Sequence, residues 1–143
     1  MAEKDYSATP LPKKLGLKPG KRLFVSAAPF PPVRAQIRGL LKEFPSVSRL
    51  EDADVQLFFT TSKATLTSDF PNMAGVLPPD GGLWIAWPKK ASKLNAELGN
   101  DLSFEDVQSI GLKAGLVDNK SCSIDEDWQA LRFVIRRVDR PRR

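Results

Sequence analysis

The segment that most constrains the fold runs from residue 77 to residue 90 and reads LPPDGGLWIAWPKK. It combines a turn rich in proline and glycine, a short run of large apolar residues, and two lysines that end the run. Buried strands of parallel sheets have this pattern, because helices cover both of their faces. Ligands of such sheets bind beyond the carboxyl ends of the strands, so Lys89 and Lys90 are predicted to face a ligand crevice.

Length and cysteine content predict one domain in a reducing compartment. A chain of 143 residues is typical of a single domain. The one cysteine, Cys122, permits no internal disulfide, and there is no CxxC pair that could bind zinc. The N-terminus lacks the apolar core of a signal peptide, and no run approaches the roughly 20 apolar residues of a membrane span. We therefore expect a cytoplasmic protein without a membrane partner.

The net charge of +5 is concentrated at the two ends of the chain. Residues 136–143 contain five arginines and one aspartate, and residues 1–22 contain six basic and two acidic residues, so each end contributes +4. The residues between them therefore carry −3. A nucleic-acid-binding domain has a basic stripe across its folded surface instead. We interpret the arginine-rich end as a solvated tail and expect no nucleic-acid partner; a weak polyanion-binding tail is the alternative.

Strand-like segments alternate with helix-like segments, a pattern that predicts βαβ units. Helices are predicted to begin at Pro31 and Pro32, after Ser62 and at Ser103, and the last of them to end at Gly115. The last two strands must be antiparallel, because the acidic turn between them is too short for a crossover. Strands are predicted over residues 21–27, 47–50, 54–61, 117–123 and 128–137, and around Trp84 and Trp87.

These elements predict an α/β fold: a three-layer, Rossmann-like, mainly parallel sheet that ends in an antiparallel β-hairpin. Residues 21–137 are predicted to form the domain, residues 1–20 a segment packing on it, and residues 138–143 a disordered basic tail. Trp84 and Trp87 are an odd number of positions apart, so they are predicted to point to opposite faces of the sheet.

Three local features complete the predicted pattern. Pro71 is predicted to kink or restart the second helix, because proline has no backbone N–H. The segment containing Lys93, Asn95 and Asn100 is predicted to be a polar loop. The first helix is predicted to pack on the sheet through Val33, Ile37, Leu40, Leu41 and Phe44, which recur at helical spacing.

Several motifs resemble known families. Three segments are similar to parts of the class I methyltransferase-like Rossmann fold. Residues 53–59 resemble its fourth strand, residues 77–87 its turn and fifth strand, and residues 107–116 the helix before its sixth strand. Shorter motifs, at residues 6–11, 13–16, 87–92, 115–118 and 125–128, resemble a small bacterial family of unknown function almost from end to end. The first resemblance implies a methyltransferase-like fold. The second gives no information on activity, because none is established for that family.

The loop after the first strand lacks the residues that a Rossmann cofactor requires. Glycines normally allow this loop to turn tightly against the ligand. Residues 26–32 read SAAPFPP, with no glycine and with three prolines that remove backbone N–H donors. We therefore expect no cofactor, neither S-adenosylmethionine in its usual pose nor a dinucleotide. Glu51 or Asp52 could hold a ribose, but a solvated acid is the preferred interpretation.

The common catalytic and metal-binding groups are missing or poorly placed. The chain contains no histidine, which excludes histidine-based triads, acid–base pairs and metal sites. Cys122 falls within a predicted strand, so a buried, inert thiol is favoured over a nucleophile. Three consecutive acids, Asp125, Glu126 and Asp127, cannot all face one ion from a tight turn. We therefore predict no catalytic residue and no metal site.

The crevice at the carboxyl ends of the strands remains the best candidate for a ligand site. Hydroxyls, a helix N-terminus and ammonium groups suit a small anionic or phosphorylated ligand. The resemblance implies that the N-terminal segment folds over the same crevice. The simpler interpretations are packing for Trp87, and solvation or pairing with the acidic hairpin for Lys89 and Lys90. The candidate ligand-binding residues are Thr60, Thr61, Ser62, Trp87, Lys89, Lys90, Lys13 and Lys14.

We interpret the chain as a degenerate methyltransferase-like module that binds a small ligand or a partner, in preference to an enzyme. Two alternatives remain open. A methyltransferase with an atypical cofactor pose would bind S-adenosylmethionine. A weak nucleic-acid-binding protein would show an affinity that falls steeply with salt.

Overall fold

The structure of the protein is a computed structural model that describes residues 10–26 and 34–139. The predicted helix start at Pro31 and Pro32, the first stripe residue Val33, and most of the proline-rich loop lie outside these ranges. The strands are β1 (Leu23–Val25), β2 (Val55–Phe59), β3 (Gly82–Pro88), β4 (Leu116–Ser123) and β5 (Trp128–Ile135). The α-helices are α1 (Leu11–Lys14), α2 (Arg34–Glu43), α3 (Lys63–Gly75), α4 (Lys93–Glu97) and α5 (Phe104–Lys113), and 3₁₀ helices span Leu50–Asp52 and Arg137–Asp139.

Within the described residues, five strands form one sheet in the order β1-β2-β3-β5-β4. The β1–β2 and β2–β3 pairs are parallel, whereas β5 is antiparallel to both β3 and β4. Strands β1 to β4 therefore run in one direction and β5 runs in the other. This arrangement confirms the predicted α/β fold, with a mainly parallel sheet that ends in an antiparallel hairpin.

The carboxyl ends of β1 to β4 meet at one edge of the sheet, together with the start of β5. We call this edge the carboxyl edge. The connections at this edge that the structure describes in full are residues 60–62 after β2, residues 89–92 after β3, and the hairpin turn of residues 124–127. The fold therefore brings segments that are far apart in sequence to the place where α/β sheets bind ligands.

The first face of the sheet is covered by α1, the chain after it, and α2. Leu15 of the N-terminal segment is fully buried there, against Trp84 of β3. The α2 residues that pack on this face are Ile37, Leu40 and Phe44. Leu41 departs from the predicted stripe, since 41% of its surface is exposed. The buried stripe of α2 is narrow, and Leu41 lies outside it.

The second face is covered by α3 and α5. Trp87 lies on this face, so the two tryptophans point to opposite sides of the sheet as their spacing predicts. Gly111 of α5 packs against the ring of Phe133, and a Cβ atom at this glycine would overlap the ring. The absence of a side chain therefore sets how closely α5 approaches β5.

The predicted strand over residues 47–50 does not form. The chain makes only an isolated parallel bridge between Ser46 and Leu23, and then turns into the 3₁₀ helix Leu50–Asp52. The two apolar residues of this segment, Val47 and Leu50, are three positions apart. They cannot share one face of a strand, whose side chains alternate with a period of two.

Two other elements differ in part from the prediction. Of the two effects predicted for Pro71, a kink or a restart, the restart does not occur, because α3 continues through the proline. Phe70 and Met73, on either side of the proline, are both buried against the sheet, and this packing offsets the lost hydrogen bond. The predicted polar loop contains the short helix α4, because Ser92 caps it by accepting a hydrogen bond of 3.0 Å from Leu94 N.

Helix α5 begins and ends where the sequence predicts. Ser103 and Asp106 form a reciprocal capping box. Gly115, which follows the C-cap residue Ala114, has a positive φ of 94°, a conformation that glycine adopts without strain. None of the described helices combines the length and apolar character needed to cross a bilayer.

Candidate functional site

Two lysines from distant parts of the chain converge on one serine at the carboxyl edge. Lys14 Nζ, at the end of α1, donates a hydrogen bond of 2.8 Å to the carbonyl oxygen of Ser123. Lys89 Nζ, directly after β3, donates one of 2.6 Å to Ser123 Oγ. Ser123 is the last residue of β4. We call Lys14 and Lys89 the lysine pair.

The loop after β3 is fixed to the hairpin turn. Lys89 N donates to the carbonyl oxygen of Asp127 at 2.8 Å, and Ser92 Oγ donates to Asp127 Oδ1 at 2.7 Å. The turn itself is held by Asp125, whose Oδ1 accepts 2.8 Å hydrogen bonds from the backbone N–H groups of Asp127 and Trp128. These bonds give the lysine pair a rigid support, because they connect the elements that carry Lys89 and Ser123.

No described carboxylate lies within ion-pair distance of the lysine pair. The ion pairs of residues 10–26 and 34–139, all at 4.0 Å or less, involve neither Lys14 nor Lys89. Two ammonium groups are thus held on the same residue without a compensating side-chain charge at close range. Such an arrangement favours the binding of an anion.

An open pocket of about 510 Å³ lies between the hairpin turn and α4 with the loop before it, and Lys89 is the member of the lysine pair that lines it. It has charged groups of both signs and a small apolar surface. The pocket is lined by Lys89, Ala91, Ser92, Lys93, Leu94, Glu97, Glu126 and Asp127. Its volume lies within the range of about 300 to 1,000 Å³ that is usual for small-molecule sites.

Cys122 lies one residue before Ser123 and is buried in the core of the first face. Burial raises the pKa of its thiol to about 11, and the nearby charges of Lys14, Lys120 and Lys89 oppose this shift without cancelling it. A thiol with such a pKa is protonated at neutral pH. It is therefore a poor nucleophile, in keeping with the interpretation of Cys122 as an inert core residue.

The hydroxyls after β2 serve the local backbone. Thr60 is buried, and its Oγ1 accepts a hydrogen bond from Ser62 N at 3.2 Å. Ser62 caps α3 by accepting from Thr65 N at 3.1 Å. The carboxylate of Asp101 accepts a further hydrogen bond from Lys63 N at 2.7 Å. Side-chain oxygens of the protein thus already occupy two N–H groups at the start of α3.

The other predicted residues are spread over the molecule. Trp87 is 1% exposed, and its ring packs against Phe104 with centroids 6.2 Å apart, so it belongs to the core of the second face. Thr61 is half-buried beside Ser62. Lys13 and Lys90 are exposed neighbours of the lysine pair. From the predicted set, the structure therefore brings Lys14 and Lys89 together on one residue.

Sequence reasoning missed Ser92, Ser123 and the pocket wall. Ser92 precedes the helix-like run KLNAE, and a serine at that position is a signal from which a helix cap could have been predicted. Ser123 gave no such signal, because its position depends on how β4 and β5 are paired. Asp101, which binds the start of α3, could not be assigned to that helix from a separation of 38 positions.

Glu51, one of the two acidic residues considered for a ribose, has another contact, and no metal-binding cluster is found. Glu51 forms an ion pair with Arg49, and the hydrogen bond from this arginine lowers the pKa of the Glu51 carboxyl. Among the residues that the structure describes, no group of three or more histidine, cysteine or acidic side chains is arranged to hold a metal ion.

No protein-family model and no curated protein matches the sequence. Solved structures do match in fold. Mitomycin 7-O-methyltransferase MmcR has a TM-score of 0.55 and 13% identity, over 82% of this chain and 49% of that enzyme. Protein PH0226 from Pyrococcus horikoshii OT3 has a TM-score of 0.55 and 12% identity, over 94% of this chain and 90% of that protein. Magnesium protoporphyrin IX methyltransferase from Synechocystis PCC 6803 has a TM-score of 0.50 and 11% identity, over 82% and 75% of the two chains.

These matches have a clear limit. At identities of 11–13%, they concern the fold and not the activity. The chain also spans only about half the length of MmcR. The sheet order and the one reversed strand, together with these structural neighbours, lead to one conclusion: the chain has a methyltransferase-like Rossmann fold.

Proposed function

We propose that this protein is a non-catalytic, methyltransferase-like module that binds a small anionic or phosphorylated ligand at the lysine pair. The observation that carries the proposal is the convergence of Lys14 and Lys89 on Ser123, at 2.8 and 2.6 Å. An anion beside both ammonium groups would reduce their mutual repulsion and accept charge-assisted hydrogen bonds. The carboxyl edge is also where ligands of α/β sheets bind.

The chemistry of the described residues supports binding rather than catalysis. The chain has no histidine, and the pKa of Cys122 is raised by burial. Neither the most common acid–base group nor an activated thiol is therefore available beside the lysine pair. No step of a reaction can be assigned to named residues there.

Two residues considered for the usual cofactor site argue against S-adenosylmethionine as the ligand. Ser26 Oγ accepts a hydrogen bond of 3.1 Å from Phe59 N and so bridges the carboxyl ends of β1 and β2. Glu51, one of the two candidates for holding a ribose, is paired with Arg49. We therefore propose a ligand that binds farther along the carboxyl edge, between β3 and β4.

Thermal unfolding in the presence of phosphate tests the proposal. Phosphate and ethyl phosphate are titrated at constant ionic strength, so that screening does not change. We expect a saturable rise in melting temperature for the wild type, because a ligand at a hundred times its Kd adds about 2.7 kcal/mol to stability. The double variant Lys14→Met and Lys89→Met should lose this response.

The chain offers a matched control for charge. Lys13 and Lys90 are the exposed sequence neighbours of the pair, and the double variant Lys13→Met and Lys90→Met removes the same net charge. It should respond to phosphate like the wild type. If both double variants respond like the wild type, or if the wild type shows no saturable response, the lysine pair is not an anion site.

A further inference from the structure

The pocket beside the lysine pair exposes unpaired charges of both signs. Lys89 and Lys93 contribute positive charge to its lining, and Glu97, Glu126 and Asp127 contribute negative charge. In the part of the chain that the structure describes, none of these five side chains forms an ion pair within 4.0 Å. The lining therefore carries charges of both signs that do not neutralise one another at close range.

Two of these charges remain apart although their spacing allows a contact. Lys93 and Glu97 are four positions apart on α4, a spacing at which opposite charges on a helix can pair, and the order of lysine before glutamate is the weaker of the two orders. The structure nevertheless shows no ion pair between them. Asp127, in contrast, is held in place by the hydrogen bond from Ser92 Oγ. The acidic residues of the lining thus comprise one carboxylate held by a hydrogen bond and two that form no ion pair.

A simple inorganic anion uses only part of this site. The pocket volume of about 510 Å³ is far larger than one phosphate ion requires. Ala91 and Leu94 add an apolar surface to the lining. An anion with no other functional group would also lie near three carboxylates without contributing a charge that attracts them.

We propose that the ligand of this site is a small dipolar molecule, which carries a phosphate or carboxylate group at one end and an ammonium group at the other. The anionic end contacts the lysine pair, and the ammonium end lies between Glu97 and Glu126. This inference rests on the proposed function and names the chemical class of its ligand. The acidic residues then act in specificity, because they distinguish an amine-bearing anion from a plain one.

Two probes that differ by one ammonium group test this inference. Phosphoethanolamine and ethyl phosphate share the phosphate and the two-carbon chain. Their Kd values are measured by isothermal titration calorimetry on the full chain at constant ionic strength. We expect the wild type to bind phosphoethanolamine about tenfold more tightly, which corresponds to about 1.4 kcal/mol.

Neutral substitutions identify the residues responsible. The double variant Glu97→Gln and Glu126→Gln should bind the two probes with nearly equal Kd values, because the phosphate contacts remain. Glu43 and Glu105 are exposed acids outside the pocket, so the double variant Glu43→Gln and Glu105→Gln changes the net charge equally. This control should keep the tenfold preference. Melting curves of both variants show whether each is folded.

The outcomes separate the two proposals. Equal binding of both probes to the wild type overturns the dipolar ligand and leaves the anion site intact. Loss of the preference in the control variant also overturns it, because bulk charge would then explain the effect. Absence of binding by either probe overturns the proposed function itself.

Vesicles that compete with phosphoethanolamine for the protein distinguish a lipid from a soluble ligand. Competition by phosphatidylethanolamine vesicles, but not by phosphatidylcholine vesicles, would identify a lipid headgroup as the source of the dipolar group. No competition by either vesicle would identify a soluble molecule.

Discussion

The indole Nε1 of Trp84 donates a hydrogen bond of 3.1 Å to the carbonyl oxygen of Leu15, across 69 positions of sequence. Both residues are fully buried. The bond satisfies the only polar atom of the Trp84 side chain and fixes the N-terminal segment on the central strand β3. Because Lys14 directly precedes Leu15, the same contact places the Lys14 backbone, and the hydrogen bond to Ser123 then holds its ammonium group. The core of the first face thus helps to assemble the candidate site.

Removal of the Leu15 side chain should therefore destabilise the whole domain. Leu15→Ala leaves a cavity in the core, and such changes cost about 2 to 5 kcal/mol. Lys13→Ala, two positions away and exposed, should change the free energy of unfolding by less than about 0.5 kcal/mol. Urea denaturation of both variants measures the difference. Equal stability of the two would show that the N-terminal segment is not part of the cooperative fold.

Two glycines in helices should respond to alanine in opposite ways. Gly111→Ala places a methyl group into the ring of Phe133, so we expect a loss of about 1 to 3 kcal/mol from overpacking. A methyl group at Gly39 of α2 would meet no neighbouring side chain within 4 Å, and Gly39→Ala should gain about 0.5 to 1 kcal/mol from helix propensity. Thermal unfolding distinguishes the two signs. A stabilised Gly111→Ala variant would mean that α5 packs less closely on β5.

Buried strands and capped helices were predictable because their signals are local. The run around Trp84 and Trp87 is apolar on both faces, and it forms the fully buried strand β3. The Ser103–Asp106 capping box and Gly115 mark both ends of α5. The antiparallel hairpin followed from a turn too short for a crossover. Each of these predictions needed only a few neighbouring residues.

The site was less predictable because it depends on contacts across the chain. Lys14 and Lys89 were both candidates, but nothing local indicates that they meet at Ser123. The pairing of β4 with β5 shifts register between Asp118 and Lys120, and this irregularity helps to set which residue of β4 reaches the carboxyl edge. The sequence could therefore identify Lys14 and Lys89 as separate candidates, but their contact with the same serine depends on the fold.

S-adenosylmethionine should not stabilise the protein. Its expected site lies at the carboxyl ends of β1 and β2, where Ser26 bridges the strands. Glu51, which was considered for a ribose, lies before the start of β2 and is paired with Arg49. This prediction is tested by comparing the melting temperature of the protein with and without millimolar S-adenosylmethionine or S-adenosylhomocysteine. Ethyl phosphate serves as the positive control for stabilisation by a ligand. A saturable upward shift with either nucleoside would support a methyltransferase with an atypical pose and contradict the non-catalytic interpretation.

Cys122 should react slowly with iodoacetamide in the native protein, because only the thiolate is nucleophilic. With a pKa of about 11, roughly one thiol in a thousand is ionised at pH 8. Unfolding restores an ordinary thiol pKa, and the rate at pH 8 should rise more than about a hundredfold. As the only cysteine, Cys122 accounts for the entire mass shift that mass spectrometry detects.

The pH dependence of this reaction separates burial from activation by the lysine pair. If burial dominates, the native rate rises about tenfold per pH unit and levels off only near pH 11. The charges of Lys14 and Lys89 favour the thiolate, so the double variant Lys14→Met and Lys89→Met should react more slowly still, while Lys13→Met and Lys90→Met should match the wild type. A native rate that levels off near pH 7 would instead show a reactive thiolate beside the lysine pair, and Cys122 would become a nucleophile with an anion-binding site next to it.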